Sequence, residues 1–216
     1  MPNKPEQSII QQMAVAFREL GFRPSYEVEV NPEFPPSGKW GVPEIRVGGD
    51  SAETLVIKVT PNTAETWVGF FACESRGLLV GLYACPNPDQ LLVVAGTDAH
   101  LVRVNQPHDQ QELPIHPLAS ADRPAGTDLV VVGSFTDLAA IDAAGLLWVT
   151  GRLFIDDLEL TSGLPGKVYV QGSLHSIPSD PQVLTIDPLT GKVIGGHWDP
   201  SLTSGERDSR WHREGL

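Results

Sequence analysis

Residues 67–85 read Trp67-Val68-Gly69-Phe70-Phe71-Ala72-Cys73, then Glu74-Ser75-Arg76-Gly77, then Leu78-Leu79-Val80-Gly81-Leu82-Tyr83-Ala84-Cys85. Two apolar runs of strand length on either side of a short polar turn are the pattern of a β-hairpin. A hairpin centred near Arg76 sets Trp67, Phe71 and Cys73 on one face with Leu79, Tyr83 and Cys85. Val68, Phe70, Leu78, Val80 and Leu82 line the other. Both faces are apolar, so both must be covered. The stretch therefore predicts the centre of a sheet with a layer on each side.

The natural cover lies upstream. From residue 9 to residue 20 the apolar side chains Ile9, Ile10, Met13, Ala16, Phe17 and Leu20 recur at spacings of three and four, with Gln11, Gln12, Arg18 and Glu19 between them. That period predicts an amphipathic helix. Asn3 and Glu6 have the spacing of a capping box, and Gly21 stands where a left-handed C-terminal cap belongs.

Downstream the period changes to two. Tyr26-Glu27-Val28-Glu29-Val30 alternates apolar with acidic residues, as a strand wetted on one face requires. Residues 31–43 carry four prolines and read as a loop, with Trp40 the side chain that would pack it down. Further strands are predicted at 44–47, 54–60, 91–95, 100–104, 129–132, 146–149, 153–155, 168–171, 183–186 and 192–194. Residues 105–127, rich in Pro, His, Asp and Gln, form the longest expected loop, and residues 201–216 are a polar, aperiodic tail. The 21 glycines and 19 prolines make about a fifth of the chain, against a usual share of roughly 12%. Their scatter between apolar runs suits many short strands joined by tight turns.

Two segments resemble each other. Ile141-Asp142-Ala143-Ala144-Gly145-Leu146 and Ile186-Asp187-Pro188-Leu189-Thr190-Gly191-Lys192 each end an apolar strand in Asp, turn, and resume after Gly. Asp caps the turn backbone and Gly supplies positive φ. The fold expected is mainly β, an antiparallel meander, sandwich or open barrel, with one N-terminal amphipathic α-helix packed on the sheet. The paired hairpins add the option of a partial β-propeller-like repeat. A single β-rich domain is expected over 1–200, followed by the tail.

The formal charge of −12, with only 15 basic residues, opposes attraction to phosphate backbones and anionic membranes. A basic protein is the partner that this charge would favour. The polar N-terminal residues lack the apolar stretch of a secretory signal, and two cysteines are too few for a disulfide framework. The expected compartment is the cytoplasm. In the proposed hairpin Cys73 and Cys85 are about 20 Å apart along the strands, too far for a disulfide, and they read as reduced core thiols.

Motifs that carry chemistry are missing. The six histidines (His100, His108, His116, His175, His197 and His212) show no zincin spacing and no Cys-x-x-Cys accompanies them. Gly133-Ser134-Phe135 and Gly172-Ser173-Leu174 lack the second glycine of a nucleophile elbow. Thr190-Gly191-Lys192 lacks the earlier glycine of a phosphate-binding loop. Asp156 and Asp157 read as a turn between strands 153–155 and 158–161, with Glu159 on the second of these, and Glu27 and Glu29 as a wet strand face. The order of helix, strand 26–30, Asp50 and the strand containing Leu55-Val56-Ile57-Lys58 resembles restriction-endonuclease-like nucleases, but Val56 fills the place of the metal-binding Glu that such chemistry requires.

The candidate binding residues are His108, Asp109, Glu112, His116 and Asp122, all in the 105–127 loop. As titratable groups on a long loop they would serve an opportunistic metal site or a non-standard Asp/His hydrolase. No cofactor is expected. The function expected is a non-catalytic protein-binding module, immunity-type or adaptor-like; the alternative is the hydrolase.

Overall fold

A computed structural model describes residues 15–49, 51, 53–73, 79–161, 163–174 and 181–196. Among these residues there is no helix, and every regular element is a β-strand. No described helix is long and apolar enough to cross a membrane. The chain divides into two compact units: the first takes in residues 15–19, 23–84 and 88–112, the second residues 20–22, 85–87 and 113–196.

Unit 1 holds two sheets. In the first, β1 (Phe17–Arg18), β6 (Gly81–Ala84), β7 (Gln90–Ala95), β8 (Asp98–Arg103) and β9 (Gln110–Glu112) lie side by side in that order. Every residue of β6 and β7 is buried. The uninterrupted run Leu91-Leu92-Val93-Val94-Ala95 is what a strand apolar on both faces requires. In the second sheet the order is β2 (Tyr26–Val30), β4 (Thr54–Pro61), β5 (Trp67–Ala72) and β3 (Glu44–Val47). Here β2, β3 and β4 alternate, one side chain inward and the next outward. The inward set, with Leu55, Ile57, Val59, Trp67 and Phe71, shares one core with Leu82, Leu91, Val93 and Val102 of the first sheet. Two polar tips stitch the sheets together: Tyr26 Oη donates to Gln90 O at 2.8 Å and Trp67 Nε1 donates to Val104 O at 2.9 Å. Buried Tyr and Trp need such partners.

Unit 2 repeats the plan with β10 (Ser120–Asp122), β11 (Val130–Gly133), β12 (Leu138–Asp142) and β13 (Gly145–Val149) in one sheet, and β14 (Asp156–Thr161), β15 (Val168–Ser173), β16 (Gln182–Ile186) and β17 (Val193–Gly195) in the other. Neighbours in each sheet are consecutive and antiparallel. Val131, Leu138, Trp148, Phe154, Val168, Val170, Leu184 and Ile186 share the core. Both hairpins read from the sequence are present: β12 pairs with β13 and β16 with β17. Asp142 Oδ1 accepts from Ala144 N at 2.7 Å, and Asp187 Oδ1 accepts from Leu189 N and Thr190 N at 2.8 and 3.1 Å. Gly145 and Gly191 have φ of 114° and 67°.

The expected mainly-β fold carrying an N-terminal helix is overturned: the described residues form an all-β structure of four sheets with no helix packed on any of them. Residues 9–14 of the predicted helix lie outside the described part. Its end is a strand, in which Phe17 and Arg18 pair in parallel with Leu82 and Tyr83. Val15 and Phe17 pack on the core while Ala16 and Arg18 are exposed. A period of two therefore displaces the helical stripe, because helix propensity is weak beside a ladder and a core.

The hairpin predicted over 67–85 is also corrected. β5 pairs with β4 and β3, while β6 pairs with β7 and β1, so the two apolar runs belong to different sheets. Their burial was encoded locally; their partners were not. Residues 153–155 are not a strand, and Asp156 and Asp157 open β14 instead of forming a turn, with Asp157 at φ 58° where the β14–β15 register shifts. The 105–127 loop contains β9 and β10. Residues 201–216 fall outside the described part.

Candidate functional site

The five residues expected to form a site divide between the units. His108, Asp109 and Glu112 belong to unit 1, His116 and Asp122 to unit 2, and all five are exposed. Asp109 is committed to its own turn: its N–H donates to Gln106 O at 2.8 Å and its carboxylate lies 3.2 Å from Arg103 Nη1. His116 precedes a cis proline, Pro117. The Asp122 carboxylate accepts from Arg123 N at 2.7 Å. Glu112 ends β9 directly opposite His100 of β8.

Of the two serines that follow a glycine, Ser134 has a structural role. Ser134 is buried, and its Oγ accepts from Thr136 N at 3.1 Å and Asp137 N at 2.9 Å. It is a turn cap of the Ser/Thr kind. Beside it, burial pushes the Asp137 carboxyl above its ordinary value, against the opposing pull of the Thr136 hydroxyl, Arg152 and Ser134.

A more developed surface lies on the outward face of the β2-β4-β5-β3 sheet. Alternation sends Glu44 and Arg46 of β3 away from the core, and the parallel register sets Arg46 beside Phe70 of β5. The Arg46 guanidinium lies 4.5 Å from the centre of the Phe70 ring, a cation–π contact of about 0.5–1 kcal/mol at such an exposed place. The proline-rich segment 31–43 supplies two more rings. Its prolines cannot donate to a ladder. Trp40 meets Phe70 edge-on with centroids 6.5 Å apart, and Phe34 meets Trp40 in the same manner at 5.4 Å. Phe34 is 59% exposed, and Trp40 Nε1 is shielded with no hydrogen-bond partner. Glu44 lies 3.7 Å from Arg46; on the same sheet Glu29 of β2 lies 3.6 Å from Lys58 of β4, and Glu27 and Glu33 are exposed. Exposed ion pairs of this kind stabilise by only about 0–1 kcal/mol. The arrangement can offer flat aromatic area and a guanidinium paired with Glu44 to something outside it.

Sequence reasoning saw Trp40 as the anchor of this loop and missed Phe34, Arg46 and Phe70 as its companions. A signal was present in the two large aromatics of a segment that cannot enter a sheet. The Arg46–Phe70 neighbourhood needed the β3–β5 pairing, which local pattern does not carry.

Two further buried groups belong to unit 1. Cys73 is a buried thiol pushed up to about 11, first by burial and then by Glu53 and Asp98, although a hydrogen bond with the Leu55 backbone pulls it down. His100 is held below its ordinary value by burial, with Glu112 and Asp98 pulling in the other direction.

No protein-family model matches this chain, and no curated protein matches it.

Proposed function

We propose that this chain is a non-catalytic protein-binding module, immunity-type or adaptor-like, that receives a basic protein on the outward face of the β2-β4-β5-β3 sheet. The observation that carries the reading is the run Phe34–Trp40–Phe70–Arg46, which ends in a phenylalanine left largely in water. Rigid aromatics and arginine are the residue types that dominate interface energetics. The charge of −12 would speed the approach of a basic partner. The hydrolase alternative has less behind it, since its five loop residues are exposed and Ser134 is occupied as a turn cap. Action in the cytoplasm is part of the proposal, supported by a composition with only two cysteines, which suits a reducing compartment.

The test is a photo-crosslinking side chain placed at position 34, with the same label at Leu189 in unit 2 as the control. The reading expects a discrete basic protein captured from position 34 alone. Its purified complex should weaken as salt rises and be lost in Phe34→Ser. Equal capture at both positions, or a complex indifferent to Phe34→Ser, would refute it.

A further inference from the structure

The last three strands of each sheet in unit 2 share one register. In β10–β13, Ile141 pairs with Val130 on one side and Leu146 on the other; in β14–β17, Ile186 pairs with Val168 and Val193. The third strand of each sheet shifts register at the same place, between Ala140 and Ile141 in one and between Thr185 and Ile186 in the other. The shift leaves over one residue of the last strand, Leu147 in the first sheet and Ile194 in the second. Asp142 and Asp187 cap the turns that follow. In this correspondence Leu138 matches Val183, Ala140 matches Thr185 and Leu147 matches Ile194.

The matched residues differ in what lies over them. Leu138 and Ala140 are fully buried and Leu147 is partly so, in the core that they share with Leu184 and Ile186 of the last sheet. Val183 and Ile194 point the other way and are 49% and 54% exposed. Of the large apolar side chains exposed among the described residues, these are the two that stand on strands. They lie on the neighbouring strands β16 and β17, so they form one patch of a sheet face. Single exposed apolar residues are ordinary, whereas apolar neighbours on a face mark an interaction surface. The side of β10–β13 that β14–β17 covers thus has a counterpart on β14–β17 that is half open to water.

We propose that the outward face of β15, β16 and β17 packs against the same face of a second copy of this chain, with Val183, Thr185 and Ile194 at the contact. Charge selects this occupant. Copies that each carry −12 repel one another, so they can meet closely only through a neutral patch. No residue of β15, β16 or β17 is charged. Glu159, on the adjoining β14, accepts a hydrogen bond from Gln171 Nε2 at 3.0 Å. A basic protein would be drawn to carboxylates, which these three strands lack. A two-fold contact instead sets one patch against itself, and an apolar, uncharged patch is complementary to its own copy. This face belongs to unit 2 and is independent of the face proposed for the basic partner. One four-stranded face is small for an interface, so the pair should dissociate on dilution.

The test measures the mass of the full chain by sedimentation velocity from low micromolar concentration upward. The mass should rise from that of one 23.3 kDa chain toward twice that value and stop there. Val183→Glu and Ile194→Glu bring like charges together at the contact and should each weaken the pairing at least about tenfold. Both positions are exposed, so the Tm of each variant at low concentration should match that of the parent. Phe34→Ser, on the other face, should pair as the parent does. A parent mass that stays at one chain leaves this face to a different occupant and overturns the pair, as does a mass that climbs past two chains. A dimer that survives both glutamate substitutions, or that is lost in Phe34→Ser, overturns it as well.

Discussion

The indole of Trp148 lies where a β-carbon on Gly191 would have to go, its Cδ2 2.8 Å from that position. Trp148 Nε1 also donates to Pro188 O at 2.8 Å, three residues before Gly191 in the same turn. One buried ring thus holds the β16–β17 turn by contact and by hydrogen bond. Gly191→Ala should destabilise unit 2 both by left-handed strain and by overpacking, each about 1–3 kcal/mol. Gly166, at φ 77° with open space around it, provides the comparison, since Gly166→Ala meets the strain alone. Urea unfolding of both variants should rank Gly191→Ala as the more damaging; equal losses would mean that the ring contact contributes nothing.

Phe34 and Phe71 should respond oppositely to truncation. Phe71 is fully buried in the core of unit 1, and Phe71→Ala should cost about 3–5 kcal/mol. Phe34→Ser removes a ring that faces water and should change stability by about 0.5 kcal/mol or less. Chemical denaturation of the two variants checks this, and a large loss for Phe34→Ser would mean that the ring belongs to the fold.

Asp137 gives a pH dependence whose sign can be worked out. Its folded-state pKa is raised above 3.8, so between that value and the folded one the native state binds more protons than the unfolded chain. Stability contributed by the protonated group is complete below the unfolded pKa and is lost as pH rises through the folded one. Asp137→Asn removes the titration. The stability of this variant relative to the parent should therefore rise with pH across the window and level off above it. Unfolding curves taken from pH 4 upward would show this, and a relative stability that is flat or falls with pH would contradict it.

Cys73, buried and pushed up to about 11, should remain a thiol at pH 8 and resist alkylation in the native protein. The thiolate is the reactive species. Labelling of Cys73 by iodoacetamide, followed by mass spectrometry, should appear only with the urea transition; native-state labelling at the rate of a free thiol would rule out this burial.

Local chemistry made some of these features legible in the sequence and left others hidden. Asp142 with Gly145 and Asp187 with Gly191 could be read as hairpin turns because every determinant lies within six residues. Alternation likewise revealed β2, and β-branched residues revealed β4. The pairing of β6 with β7 and β1 was hidden, because an all-apolar strand such as Gly81–Ala84 shows that both faces are covered without saying by what. Phe17 misled for a related reason: a segment this short fits both periods, and the choice rests with Leu82, far along the chain.

The strand Gln90–Ala95 has a cost away from the native state. Its six consecutive buried positions contain no charge and no proline, which is the composition of segments that stack into cross-β fibrils when exposed. Asp89 before it and Asp98 after it are the nearest charges, serving as gatekeepers at the ends of a run they cannot interrupt. Heating should therefore end in precipitation, with an apparent midpoint that moves with scan rate and protein concentration. Replacing Leu92 by Lys, which would break the run, should suppress the aggregate while preventing the fold.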